Sequence, residues 1–319
     1  RQTTRGVTSL SGFGRPFGLT ADSEGRIHVA DMDLHCVFRF DANLEAFQWL
    51  DDPVGWSAPY KVLEGLVKPH KPKKPLSFNG PHSIAVTADG RMFVTTYYDP
   101  GVFVLSSEGK LLEVWGREKG KGPILVGPAT GTLTAEGVLW VAEYGLNALF
   151  AYDTNDMTFI GVLGGGESGF QTSEGFRAGH EPFAFDRPHM AKCDPDGNLI
   201  VVDTWNHRLQ KFSPNGVFLG SLSGAGKGWR LTANCINASN EFGCFSAPVA
   251  ISFDNNANMV VTDWGNSRLQ WFDADGKFSS VDKKPQLTKP YDAQIIDKDI
   301  VIANSSKGEV YIKSIVEYG

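Results

Sequence analysis

One phrase recurs six times along the 319 residues, and no other feature constrains the fold as strongly. The copies are "RPFGLTADSEGRIHVADMDLHCVFRFD" from Arg15, "GPHSIAVTADGRMFVTTYYDPGVFVLS" from Gly80, "GPATGTLTAEGVLWVAEYGLNALFAYD" from Gly127, "RPHMAKCDPDGNLIVVDTWNHRLQKFS" from Arg187, "APVAISFDNNANMVVTDWGNSRLQWFD" from Ala247 and "KPYDAQIIDKDIVIANSSKGEVYIKS" from Lys289. Each reads as strand, turn, strand, turn, strand. Asp-Gly at Asp89-Gly90 and Asp196-Gly197 and Glu-Gly at Glu24-Gly25 supply tight turns between runs rich in β-branched and aromatic residues. A repeat of roughly 40–50 residues built from strands is the signature of a propeller. The expected fold is therefore all-β: a six-bladed β-propeller forming a single domain over residues 1–319.

A blade needs a fourth, outer strand after each phrase. The segments "FQWLD", "LLEVWG", "TFIGVLGG" and "VFLGSLSG" supply it, but the chain stops one strand short after "GEVYIKSIVEYG". The N-terminal "RGVTSLSG" is expected to complete the last blade, closing the ring and removing two open edges.

The residue after the phrase-head proline should start the innermost strand and face the channel. Read around the ring, these residues are Phe17, His82, Ala129, His189, Val249 and Tyr291. Alternate blades lie about 120° apart, so His82, His189 and Tyr291 are expected to converge on one axial point and leave its far side open. Two imidazoles and a phenol in that arrangement suit a transition metal. Zinc is the first expectation, with iron or copper also compatible because a phenolate is a hard anionic ligand. Tyr291 either ligates the ion or serves as an acid or base beside it. Histidines in a β-core also occur as hydrogen-bonded structural residues, and that alternative stays open.

The wording "DGNLIVVDTWNHRLQKFSPNG" and its echo "ANMVVTDWGNSRLQWFDADG" resembles the NHL repeat. Within that repeat family, the Pro-His pattern is similar to the peptidylglycine amidating lyases, six-bladed propellers that cleave peptidyl-α-hydroxyglycine. The resemblance implies a zinc held by Pro-His residues of three alternate blades: "GPHS" and "RPHM" match, and "KPYD" puts Tyr291 in the third place. It further implies a structural calcium bound through Asp292 and a catalytic tyrosine at Tyr144. The family's two catalytic arginines have no counterparts at the strand ends "VADMD" and "VVDTW". Asp292 has a second reading as a turn cap.

Four connections between blades are long, at about residues 50–80, 116–127, 162–186 and 221–247. Their aromatics, among them Trp56, Phe183 and Trp229, are expected either to wall an apolar or aromatic substrate together with Phe17 or to staple the loops down. Two functions fit. The first is a metal-dependent enzyme at the channel mouth, with lyase or hydrolase chemistry on a small molecule and with Tyr144, Glu143 or Tyr98 as acid or base. The second is a non-catalytic propeller that docks a protein or peptide through its loop face.

Composition narrows the partners. A formal net charge of −6 argues against nucleic acid, and no run of eighteen apolar residues exists to cross a membrane. The basic run "KPHKPKKP", residues 68–75, reads as a solvated Pro-rich loop, and "LGGGESGF" lacks the context of a phosphate cradle. Cys36 and Cys193 sit in strand-like runs as small buried thiols, whereas Cys235 and Cys244 bracket a polar loop and could pair in an oxidising compartment. The chain opens at Arg1 without methionine, which leaves the compartment open and leans toward a periplasmic or secreted one. Oligomeric state has no signal in the sequence.

Overall fold

The computed structural model describes residues 2–4, 7–62, 78–118, 122–171, 175–224, 226–231, 237–282 and 286–315. The phrases fold as expected, each into an antiparallel blade whose first strand lines the channel. Those inner strands are Pro16–Ala21, Pro81–Val86, Pro128–Leu133, Met190–Cys193, Pro248–Phe253 and Asp292–Ile296. Ring closure is as the pattern predicts. Val7–Ser11 pairs antiparallel with Glu309–Ser314, from Val7 opposite Lys313 to Ser11 opposite Glu309, and Gln2–Thr4 adds a further strand outside it. Blade one also gains an extra outer strand, Tyr60–Lys61.

Neighbouring blades pack through apolar clusters, because each sheet buries both faces against its neighbours. Leu10, Phe13, Val29, Phe38, Phe40 and Phe47 meet Val301, Ala303 and Val310 where the last blade joins the first. The fully buried phenylalanines there each contribute on the order of 2 kcal/mol of burial free energy.

Polar latches repeat from blade to blade. In four of the six blades the residue before the phrase-head proline donates its N–H to a side chain in the previous blade: Gly80 to His35 Nδ1 at 3.0 Å, Arg187 to Asn147 Oδ1 at 2.9 Å, Ala247 to His207 Nδ1 at 2.9 Å and Lys289 to Ser267 Oγ at 3.2 Å. All four acceptors have left-handed φ between 52° and 54°. His35 and His207 are thus equivalent latch residues of the repeat.

Among the described residues of the long connections, the aromatics Trp56, Phe183 and Trp229 are packed onto the blades. Trp56 packs on His28 and Arg39 and donates to the Ser107 carbonyl. Its N–H donates to the Glu108 carbonyl of the next blade, as Trp229 N–H does to Asp275. Phe183 is buried against Phe212 at 4.5 Å. Trp56, Phe183 and Trp229 are therefore staples, which corrects the expectation that they bind substrate. Cys36 is buried and Cys193 half-buried in their strands, and burial raises both thiols above the usual range, Cys193 to about 11. The Cys235–Cys244 pairing and the basic run fall on Cys235 and residues 68–75, outside the described residues. Among the described residues no helix is long and apolar enough to cross a membrane.

Candidate functional site at the channel mouth

Four of the six phrase-head residues reach the channel where the inner strand is irregular. In blades one, two, three and five the register slips just after the proline, and such a bulge re-aims a side chain. His82 sits at such a slip, whereas His189 and Tyr291 directly precede their regular inner strands, and the three side chains come together at the axis. His189 Nε2 lies 3.0 Å from Tyr291 Oη, and His82 Nε2 lies 3.4 Å from the same oxygen. Phe17 stacks flat on the Tyr291 ring, with centroids 3.7 Å apart and planes 3° apart, and so holds the phenol in place.

Proton placement follows from the outer nitrogens. His189 Nδ1 donates to the Val249 carbonyl at 2.9 Å, which leaves Nε2 with a lone pair toward the axis. Tyr291 O–H donates to that lone pair. The Ala129 carbonyl, one blade on from His82 as Val249 is from His189, favours the protonated His82 ring, although His82 Nδ1 has no well-formed hydrogen bond. Burial pushes both imidazoles down, His189 to about 4, and His82 is lowered further by His189 beside it. Burial also raises the Tyr291 phenol, with Arg15 opposing. At neutral pH the cluster is two neutral imidazoles and one phenol.

The cluster floors a cavity of about 370 Å³. Its walls come from the short connections between the second and third strands, which emerge on the same face as the phrase heads and nearer the axis than the long loops. Met32, Tyr97, Tyr144, Trp264 and Ser305 all line it, and each directly follows the last residue of a second strand. Tyr98, Ser306 and Arg15 complete the rim. Sequence reading singles out Tyr98, Tyr144 and Phe17 but misses Arg15, Tyr97, Trp264 and the two serines. The repeat register that aligned the histidines would have found all but Arg15 and Ser306. Tyr144 Oη accepts from Trp205 Nε1 at 2.9 Å, and Tyr98 Oη accepts from Arg15 Nη2 at 3.2 Å. With that acceptance fixed, each phenolic O–H is available to donate into the cavity.

Two expected site residues are elsewhere. Glu143 is fully buried, and its carboxylate accepts from the Gly127, Gly145 and Val126 N–H groups. Asp31, Asp203 and Asp263 occupy the same repeat position and cap the same turn in their blades. Glu143 is thus the repeat's structural acid, which corrects its assignment as acid or base. Asp292 points away from Tyr291, as strand alternation requires, and lines a second cavity of about 230 Å³ lower in the channel. Both its oxygens face N–H donors, Leu19 N at 2.8 Å and Gln294 Nε2 at 2.7 Å. The Lys192 ammonium donates to Gln294 Oε1 in the same chamber. Calcium requires six or more oxygen ligands. A carboxylate already committed to N–H donors beside an ammonium does not fit it, and Asp292 caps no local turn either, since Leu19 belongs to blade one.

Among the described residues no three His, Cys, Asp or Glu side chains converge as metal ligands, the third member of the channel cluster being a phenol. The donor set nonetheless suits a small cation. The 3.0 and 3.4 Å separations bracket the edge of about 3.3 Å expected between ligands of a tetrahedral ion with bonds near 2.0 Å.

A profile of the NHL repeat matches residues 185–212. No curated protein sequence matches the chain. Among solved structures, the fold is similar to virginiamycin B lyase from Staphylococcus aureus, solved as a catalytically inactive histidine-to-alanine variant with quinupristin. Identity is 14%, coverage is 97% of this chain and 99% of that one, and the TM-score is 0.59. A streptogramin B lyase is similar at 15% identity, 96% of both chains and a TM-score of 0.57. Hydrazine synthase from Kuenenia stuttgartiensis is similar at 14% identity, 99% of this chain and 100% of that one, with a TM-score of 0.57. At these identities the likeness is one of fold.

Proposed function

We propose that this propeller is an enzyme of lyase or hydrolase type, acting at the channel mouth on a small molecule, with a transition metal ion held by His82, His189 and Tyr291. The observation that carries the reading is the convergence of His82 Nε2, His189 Nε2 and Tyr291 Oη, from three alternate blades, at the floor of an aromatic-walled cavity. When bound, such an ion supplies Lewis-acid polarisation of a substrate oxygen. The chain's own groups do the rest. Tyr144 and Tyr98 hold O–H groups toward the reacting molecule, and the Val249 carbonyl keeps the His189 lone pair facing the axis. Similarity of fold to two lyases supports an enzyme without identifying the substrate.

Elemental analysis of protein purified without a His tag tests the reading. Zinc, or failing that iron or copper, is expected at about one equivalent, and His82→Ala and His189→Ala should each lose it, because two remaining ligands rarely hold a divalent ion. Less than about a tenth of an equivalent, with no gain on reconstitution, would overturn it. Tyr291→Phe separates the two roles of the phenol: a ligand variant loses metal, whereas an acid or base variant keeps the metal and loses turnover.

A further inference from the structure

We propose that the substrate of this cavity is an anion, a small aromatic carboxylate, held by Arg15 in the lining, with Arg187 and Lys289 forming a collar of positive charge behind the mouth aromatics. The proposal rests on the enzymatic reading of the same site and names its substrate class. Each of the three cations immediately precedes a phrase-head proline, in blades one, four and six. Each also lies over an aromatic ring of the mouth. Arg15 is 5.5 Å from the Phe17 centroid, Arg187 is 5.5 Å from Tyr144 and 5.3 Å from Trp205, and the Lys289 ammonium is 4.1 Å from Trp264. Phe17, Tyr144 and Trp264 line the cavity itself.

Arg187 and Lys289 share with Ala247 the left-handed φ of this repeat position, 49° and 51° against 47°, and the same blade-to-blade latch, so the repeat's backbone fixes where these side chains start. Arg15 is fixed by a fork to Asp33, Nε to Oδ2 at 2.8 Å and Nη2 to Oδ1 at 2.6 Å. Its Nη1 makes no hydrogen bond among the described residues and remains for a ligand.

The charge in the cavity lining comes from a cation whose ion-pair partner, Asp33, lies outside the lining. Arg15 is the charged residue of the lining, and no Asp or Glu joins it. Asp33 is committed to Arg15, Asp31 caps the Gly14 and Arg15 N–H groups, and Asp186 forms no ion pair with Arg187 among the described residues. The free Nη1 of Arg15 offers a charge-assisted donor to one carboxylate oxygen, and the aromatic walls of a small cavity favour a flat apolar body. A site of about 370 Å³ takes a single-ring acid.

Benzoate and its neutral analogue benzamide, titrated calorimetrically into protein as purified and after chelator treatment, test the proposal. Benzoate should bind at least about tenfold more tightly than benzamide in both preparations and weaken as salt rises. Arg15→Gln should remove most of that preference and Arg15→Lys part of it. Lys277→Gln, which changes the net charge equally in the outer hairpin of blade five, should leave it intact. Equal binding of the two probes, or an unaltered preference in folded Arg15→Gln, would sink the collar. Inorganic phosphate competing as strongly as benzoate would overturn the aromatic part of the assignment. A preference seen only in metal-loaded protein would overturn the collar and leave the metal reading standing. The same preference in protein that never takes up metal would do the reverse.

Discussion

Strand alternation separates Glu143 from Tyr144, sending the first into the blade and the second into the cavity. Burial raises the Glu143 carboxyl to about 7 against three backbone N–H groups that lower it. A carboxyl whose folded pKa lies above its unfolded value holds its proton longer in the native state, so its contribution to stability falls as pH rises from about 4.5 to about 7. Glu143→Gln keeps an acceptor for the Gly127 N–H and removes the titration. Urea unfolding at pH 5 and pH 8 should then show wild type losing on the order of 2–3 kcal/mol more than the variant across that interval. Equal losses would mean that another group titrates there. His189 works in the opposite sense: its depressed pKa removes stability as pH falls from about 6.5 toward about 4.

The long loops of blades four and five owe their order to one arginine each on the third strand. Arg208 in Arg208–Phe212 is fully buried, with Nε on Asp203 Oδ2 at 2.7 Å, Nη1 on the His180 carbonyl at 2.6 Å and Nη2 on the Glu181 and Ala184 carbonyls. Arg268 repeats the pattern with Asp263, Asn240, Glu241 and Cys244 at a more exposed position. Arg208→Met would leave the Asp203 carboxylate buried without its cation and several carbonyls without donors. The expected cost is about 3–5 kcal/mol, with faster hydrogen exchange across residues 179–186. Arg268→Met should cost less, because water reaches that guanidinium. Equal costs at the two sites would show that burial does not set the scale.

Across the whole molecule, closure depends on two seams, the N-terminal strand on the outside and a polar tie along the axis. Lys192 of blade four donates to Gln294 of blade six, whose amide donates to Asp292, which accepts from Leu19 of blade one. Ser252 of blade five joins by accepting from Lys192 and from the Ile295 N–H. Burial raises Asp292 to about 6 and lowers Lys192, while each favours the other's charge. The ammonium thus supplies the positive charge in this part of the channel, and the melting temperature should not respond to calcium or chelator. Lys192→Met should destabilise by about 3–5 kcal/mol at pH 8, less at pH 5 where Asp292 is protonated, and adding Asp292→Asn should restore most of the loss. A calcium-dependent rise in wild-type melting temperature would defeat this account.

By itself the sequence determined the architecture, because strand periodicity, turn residues and a six-fold phrase are local signals that all specify one closed ring. It also determined which residues face the axis: a repeat places equivalent positions at equivalent radii, so His82, His189 and Tyr291 could be aligned without coordinates. The same register extends to the second-strand ends that set Tyr97, Tyr144 and Trp264 at the mouth, of which the sequence reading took only Tyr144. The tertiary structure decided what surrounds those positions. Whether Glu143 meets substrate or backbone, whether Trp56 walls a cavity or pins a loop, and whether Lys192 stands beside Asp292 all depend on contacts between blades far apart in the chain. Side-chain direction and burial there are fixed by packing across the ring, for which no local pattern codes.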